Sequence, residues 1–174
     1  TDRLSYIFSG LRASVGLVSD YYGDQMILGS GSSHSSDLAL TVEGPNFLYV
    51  GQRFYWRARV YDMYQEGRWV TSITGKQDYE ANVSLMIPDL LARPQAVFKF
   101  RPQQAILTVY AAAQPVQFSR PGSIQGVLNP DDSYDVIALQ AKPYIMPGEV
   151  YEVTASLPSF TQKDLRRTVV SGDV

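Results

Sequence analysis

From about residue 37 onward, apolar and polar residues alternate with a period of two, the spacing of strands that turn one face to a core and the other to water. The clearest run is 53 to 61, where Phe54, Trp56, Ala58 and Val60 interleave with Arg53, Tyr55, Arg57, Arg59 and Tyr61. This predicts a strand with a core face and an outward cationic, aromatic face. In a second predicted strand, Tyr79, Ala81, Val83, Leu85 and Ile87 alternate with Glu80, Asn82 and Ser84. Further strands are expected over about 37 to 43, 68 to 72, 96 to 101, 104 to 110, 116 to 119, 134 to 140 and 149 to 156. Prolines such as Pro88, Pro102, Pro115, Pro130 and Pro143 are read as punctuation between these runs, where a missing amide donor does no harm to a ladder. Nine short strands separated by turns predict a mainly β fold of two packed antiparallel sheets, sandwich-like, with short helices at the termini.

The ends of the chain carry different periods. Leu4, Ile7, Phe8 and Leu11 share one face at helical spacing, so a short amphipathic helix is expected over 2 to 12. The tract Gly29-Ser30-Gly31-Ser32-Ser33-His34-Ser35-Ser36 has nothing to pack and reads as an exposed, flexible loop. Near the other end, Thr161 and Asp164 stand at the spacing of a helix-capping pair, ahead of Leu165 and Val169. The expected organisation of 1–174 is one domain: helix and loop over 1–35, a β core over 36–157, and a helix or linker over 158–174 leading to a missing downstream domain. The opening at Thr1 without Met points the same way, to a piece of a longer protein.

Composition narrows the function classes. A net charge of −2 supplies no broad positive field for nucleic acid phosphates, so no nucleic acid partner is expected. The absence of Cys removes disulfides, thiolate metal sites and cysteine nucleophiles. The apolar stretches fall far short of the roughly 20 residues that span a bilayer as a helix, so any membrane contact is expected only through a larger parent protein.

Candidate chemistry is sparse. His34, the single histidine, sits in the serine-rich tract, where an imidazole has nothing to position it as a base or ligand. Gly122-Ser123-Ile124-Gln125-Gly126 lacks the central serine of a nucleophile elbow and reads as a turn. Asp131, Asp132 and Asp135 gather oxygens that could hold calcium, but without the glycine and glutamate of an EF-hand loop; an Asx-rich turn accounts for the same residues. Asn82-Val83-Ser84 matches a glycosylation acceptor pattern yet falls inside a predicted strand. No catalytic residue, cofactor or metal ligand is assigned. The one candidate interaction face is Tyr55, Arg57, Arg59 and Tyr61, whose rings can stack on a sugar and whose guanidinium groups can pair with carboxylates. Trp56 and Trp69 are expected in the core.

The stretch Phe54-Tyr55-Trp56-Arg57-Ala58-Arg59-Val60-Tyr61-Asp62-Met63-Tyr64, followed by Gly67-Arg68-Trp69, resembles a signature in the extracytoplasmic segment of bacterial membrane-anchored transglutaminase-like proteins of the TgpA type. Pro147-Gly148-Glu149-Val150-Tyr151-Glu152-Val153-Thr154-Ala155-Ser156, with Leu165-Arg166 beyond it, resembles the stretch that precedes the catalytic core in that family. The resemblance covers roughly 36 to 170. It implies an extracytoplasmic, membrane-tethered parent in which this segment lies between the anchor and a papain-like core bearing Cys, His and Asp. Since the chain has no Cys and its His precedes both motifs, no catalytic residue carries over. Independently of the family, the first motif reads as a hairpin: strand 53 to 61, a turn through Asp62 to Gly67 with Gly67 free to take positive φ, and a return along Arg68-Trp69-Val70.

The expected function is therefore a non-catalytic structural and interaction domain that positions or gates the catalytic domain downstream in the same chain. The alternative is a cell-envelope module binding glycan or peptide through its aromatic and arginine face.

Overall fold

The computed structural model describes residues 23–27, 38–45, 54–86 and 93–157. The expected helix over 2 to 12, the serine-rich loop with His34 and the C-terminal helix all lie outside the described residues. Within them the fold is mainly β, built from antiparallel sheets with no helix.

There are three sheets where the alternation suggested two. A back sheet has the order β2-β6-β11-β8, formed by β2 (Leu40–Glu43), β6 (Gln95–Pro102), β11 (Tyr151–Ser156) and β8 (Gln114–Phe118). A front sheet has the order β5-β9-β10-β7, formed by β5 (Lys76–Tyr79), β9 (Gly122–Leu128), β10 (Tyr134–Ile145) and β7 (Ile106–Thr108). A smaller hairpin sheet orders β1 (Gln25–Ile27), β4 (Arg68–Val70) and β3 (Met63–Gln65).

The back sheet follows the period-two rule closely. Along β6, Ala96, Phe98, Phe100 and Pro102 are buried, while Gln95, Val97, Lys99 and Arg101 are exposed. Register places Phe100 opposite Tyr151 and Phe98 opposite Val153, and the Phe100 and Tyr151 rings stack 5.1 Å apart. The outer face is a charged row in which Lys99 stands between Glu43 and Glu152, with a 3.3 Å ion pair to the latter. From the front sheet, Ile124, Leu139, Ala141 and Ile145 complete the core. Tyr151 also ties the core to the loop beyond β7, since its hydroxyl accepts from Tyr110 N at 3.0 Å. Burial pushes the Tyr151 hydroxyl well above the ordinary tyrosine range, because a phenolate there would lose its water. The linked effect has a definite sign. Below the unfolded tyrosine pKa, near 10, both states keep the proton and the contribution is intact; as pH rises above it only the unfolded chain ionises. Stability measured by denaturant titration is thus expected to fall above about pH 10, and this added alkaline loss should shrink in Tyr151→Phe; an equal loss in both proteins would refute the assignment.

Several sequence expectations are corrected. The segment 54 to 62 is not a ladder strand: it crosses between sheets, held by isolated bridges from Arg57 to Ala111 and from Arg59 to Ala138. The expected strand from Tyr79 ends where it was to begin, because β5 stops at Tyr79 and Asn82 takes a φ of 65° in an exposed turn. Leu85 then runs beside β8 and donates its N–H to Val116 O at 2.7 Å. Prolines also enter strands. Pro102 ends β6, Pro115 sits on edge strand β8, and Pro143 falls in the part of β10 where register with β7 is interrupted, all places where a ladder tolerates a missing donor.

The stretch 122 to 126, expected as a turn, is the body of β9 and lies inside the front sheet between β5 and β10. Four consecutive residues of it, from Gly122 to Gln125, are buried. A strand covered on both faces shows no alternation, and here it carries the polar Ser123 and Gln125, the latter held between Arg59 and Ile73 O, so its sequence looks like a loop. The glycines serve close packing: a Cβ on Gly122 would collide with the Gln140 carbonyl oxygen, and one on Gly126 with Asp135 O and the Tyr134 ring. Gly122→Ala is expected to cost about 1–3 kcal/mol in chemical denaturation, whereas Gly75→Ala, with nothing within 4 Å of the added methyl, should be near neutral. Equal effects at the two positions would show that β9 is not packed this tightly.

Candidate interaction surface

The stretch that carries the family resemblance acts mainly as a fastening between the hairpin sheet and the front sheet. Arg59 was expected to point outward, but its side chain is fully buried. Its Nη1 donates to Asp24 Oδ1 at 2.9 Å and to Gln125 Oε1 at 3.1 Å, linking the segment before β1 to the centre of β9. Gln125 in turn donates to Ile73 O. A buried guanidinium is tolerable only with such acceptors around it, and here one of its NH2 groups serves two of them. Tyr61 donates its hydroxyl to Gly23 O at 3.1 Å. The Asp62 carboxylate accepts from both the N–H and the hydroxyl of Ser72, which holds it below the usual carboxylate range.

The other members of the expected face lie apart in environment. Tyr55 is 80% exposed. Arg57 is partly buried, and desolvation lowers its pKa against the opposing attraction of Asp135. Phe54 and Trp56 point to the core as the alternation predicted, with Trp56 edge-on to Phe98 and Phe100 at 5.2 and 5.3 Å. Of Tyr55, Arg57, Arg59 and Tyr61, therefore, only Tyr55 stands free at the surface, and the structure does not join the four into one face.

The hairpin differs from expectation in one strand. β3, not 53 to 61, pairs with β4, and the two-residue turn Glu66-Gly67 has φ values of 47° and 80°. Positive φ at both central residues is the turn whose twist suits a tight hairpin, with glycine at its second position. The consequence is an exposed apolar row that the sequence reading missed. Met26, Trp69 and Tyr64 are direct cross-strand partners over the three strands, so they share one face. They are 38%, 36% and 54% exposed, and the Trp69 and Tyr64 rings lie 5.3 Å apart, inclined by 55°. Trp69 thus belongs to the surface, correcting its expected place in the core: its alternation is that of a hairpin lying outside the main sheets. The signal available in the sequence was the pair Tyr64 and Trp69, symmetrically placed about Glu66-Gly67.

Other candidates are less developed. An open groove of roughly 420 Å³ lies at the irregular stretch of β10, lined by Leu107, Pro143 and Tyr144, and its Lys142 is 3.5 Å from Asp78. The Asp131 carboxylate accepts from the N–H and the hydroxyl of Ser133, and Asn129 Nδ2 donates to Asp135 at 3.3 Å, so the acidic stretch is built as an Asx turn. Among the described residues no group of three or more His, Asp and Glu is placed to hold a metal ion. Asn82, with its glycosylation-like spacing, sits in the turn after β5 and not in a strand.

Comparison of the chain with protein-family models, with curated proteins and with solved structures finds no match.

Proposed function

We propose that this chain is a non-catalytic interaction domain, and that it positions or gates a transglutaminase-like core in a bacterial, membrane-anchored, extracytoplasmic parent. The observation that carries the interaction reading is the Met26–Trp69–Tyr64 row, an aromatic face left open to solvent on a hairpin fastened to the body through the buried Arg59. An exposed cluster of this kind on a well-anchored element is the usual chemistry of a binding surface, since Trp, Tyr and Met are enriched where proteins meet. The parent class is supported by the two sequence motifs alone.

The test compares this chain with a longer natural polypeptide that continues past Val174. Amide exchange over 63 to 70 is expected to slow in the longer protein, and transglutaminase or peptidase turnover should appear only there. Turnover by this chain alone in proportion to its concentration would sink the non-catalytic reading. Unchanged exchange at the hairpin, with the downstream region folded, would sink docking through this face.

A further inference from the structure

The aromatic row has acidic neighbours. Asp62 and Glu66 lie two residues before and two residues after Tyr64, at the two ends of β3, and both are exposed. Among the described residues neither forms an ion pair. The nearest cation in sequence, Arg68, has register partners Gln65 and Ile27, on the opposite face from Trp69, and donates there to Gln25 at 3.2 Å. Two inclined rings and a thioether thus share one face across the hairpin sheet, and two exposed carboxylates without a partner cation among the described residues flank β3, that of Asp62 held by Ser72.

A cation is the complement of this set. A guanidinium or ammonium over an indole or phenol face is drawn by the ring quadrupole, and the gain grows when carboxylates lie nearby. Strands about 4.8 Å apart give the three-strand row a width of roughly 10 Å, which matches one or two side chains of an extended segment. Phosphate-bearing partners are disfavoured, because lipid headgroups and nucleic acids would meet Asp62 and Glu66 with like charge. We infer that the Met26–Trp69–Tyr64 face, bracketed by Asp62 and Glu66, docks a lysine- or arginine-bearing segment of a protein partner. This rests on the interaction reading above and names the chemistry of the partner.

The indole N–H resonances of Trp69 and Trp56 give the readout, with Trp56, packed against the core, as internal reference. The ¹⁵N-labelled protein is titrated with a capped short peptide of alternating glycine and arginine. Parallel titrations use the same peptide with glutamate for arginine, a neutral oligosaccharide, and anionic phospholipid vesicles. The expected result is a saturable shift of the Trp69 resonance with the arginine peptide and a stationary Trp56. Tyr64→Ala should weaken the affinity about two- to fivefold, the range of an exposed cation–π contact. Glu66→Gln, which leaves the Asp62–Ser72 bonds in place, should weaken it and flatten its salt dependence. A Trp69 shift produced by the glutamate peptide, oligosaccharide or vesicles, and not by the arginine peptide, would overturn the cation inference while leaving a binding face. No shift with any of them would also overturn it, and the exchange experiment on the longer polypeptide would then judge the interaction reading separately.

Discussion

Phe100→Ala is expected to destabilise the protein by about 3–5 kcal/mol, the range for removing a buried aromatic ring. Phe100 is 0% exposed, stacks on Tyr151 at 5.1 Å and meets the edge of Trp56 at 5.3 Å. Deleting its ring would open a void between strands that are pinned by their ladders, so the walls could close on it only in part. Val97 on the same strand is 43% exposed on the opposite face, and Val97→Ala should cost under about 0.5 kcal/mol. Chemical denaturation of the two variants compares the faces of β6 directly. Similar losses at both positions would mean that the core does not lie where the alternation places it.

Arg59→Ala is expected to cost about 2–4 kcal/mol, combining lost packing of a fully buried side chain with an acceptor on Gln125 left without its donor. Asp24 contributes less to that loss, because its side chain is 69% exposed and water can replace the guanidinium around it. Arg59→Lys should recover little of the stability, since an ammonium is more strongly hydrated, and so costlier to bury, than the guanidinium whose Nη1 donates to both Asp24 and Gln125. Two readouts separate this from a general core effect. Global stability falls in denaturant titration, and the hairpin between Met63 and Val70 should become the first site of limited proteolysis under native conditions. A variant with full stability and an uncut hairpin would show that Arg59 does not fasten it.

The period-two pattern of residues 95 to 102 and 151 to 156 was enough to place β6 and β11, because those strands have one face in the core and one in water. The same logic located β2, β4, β8 and β10 approximately. It failed in both directions where burial departs from that condition. Residues 53 to 61 alternate well, yet 54 to 61 crosses between sheets and buries Ala58 and Arg59 in succession, so its apparent outer face is split by the buried Arg59 guanidinium. Residues 122 to 126 do not alternate, yet form an inner strand, because a strand covered on both sides has no polar face to show.

The candidate site was legible only in its residue types. The sequence by itself determined a mainly β chain, a hairpin turning at Gly67, a core face at Phe54 and Trp56, and a chain without cysteine chemistry. Only the tertiary structure decided which aromatics reach solvent. Whether Trp69 is core or surface depends on whether a second layer covers its strand, and the partners that expose it, Met26 and Tyr64, lie 43 residues before it and on the other arm of the hairpin. Likewise, an arginine between aromatic neighbours reads as outward until Asp24 and Gln125, 35 and 66 residues away in sequence, converge on it and make burial tolerable. Local periodicity records which side chains prefer to leave water, and long-range pairing decides which of them can.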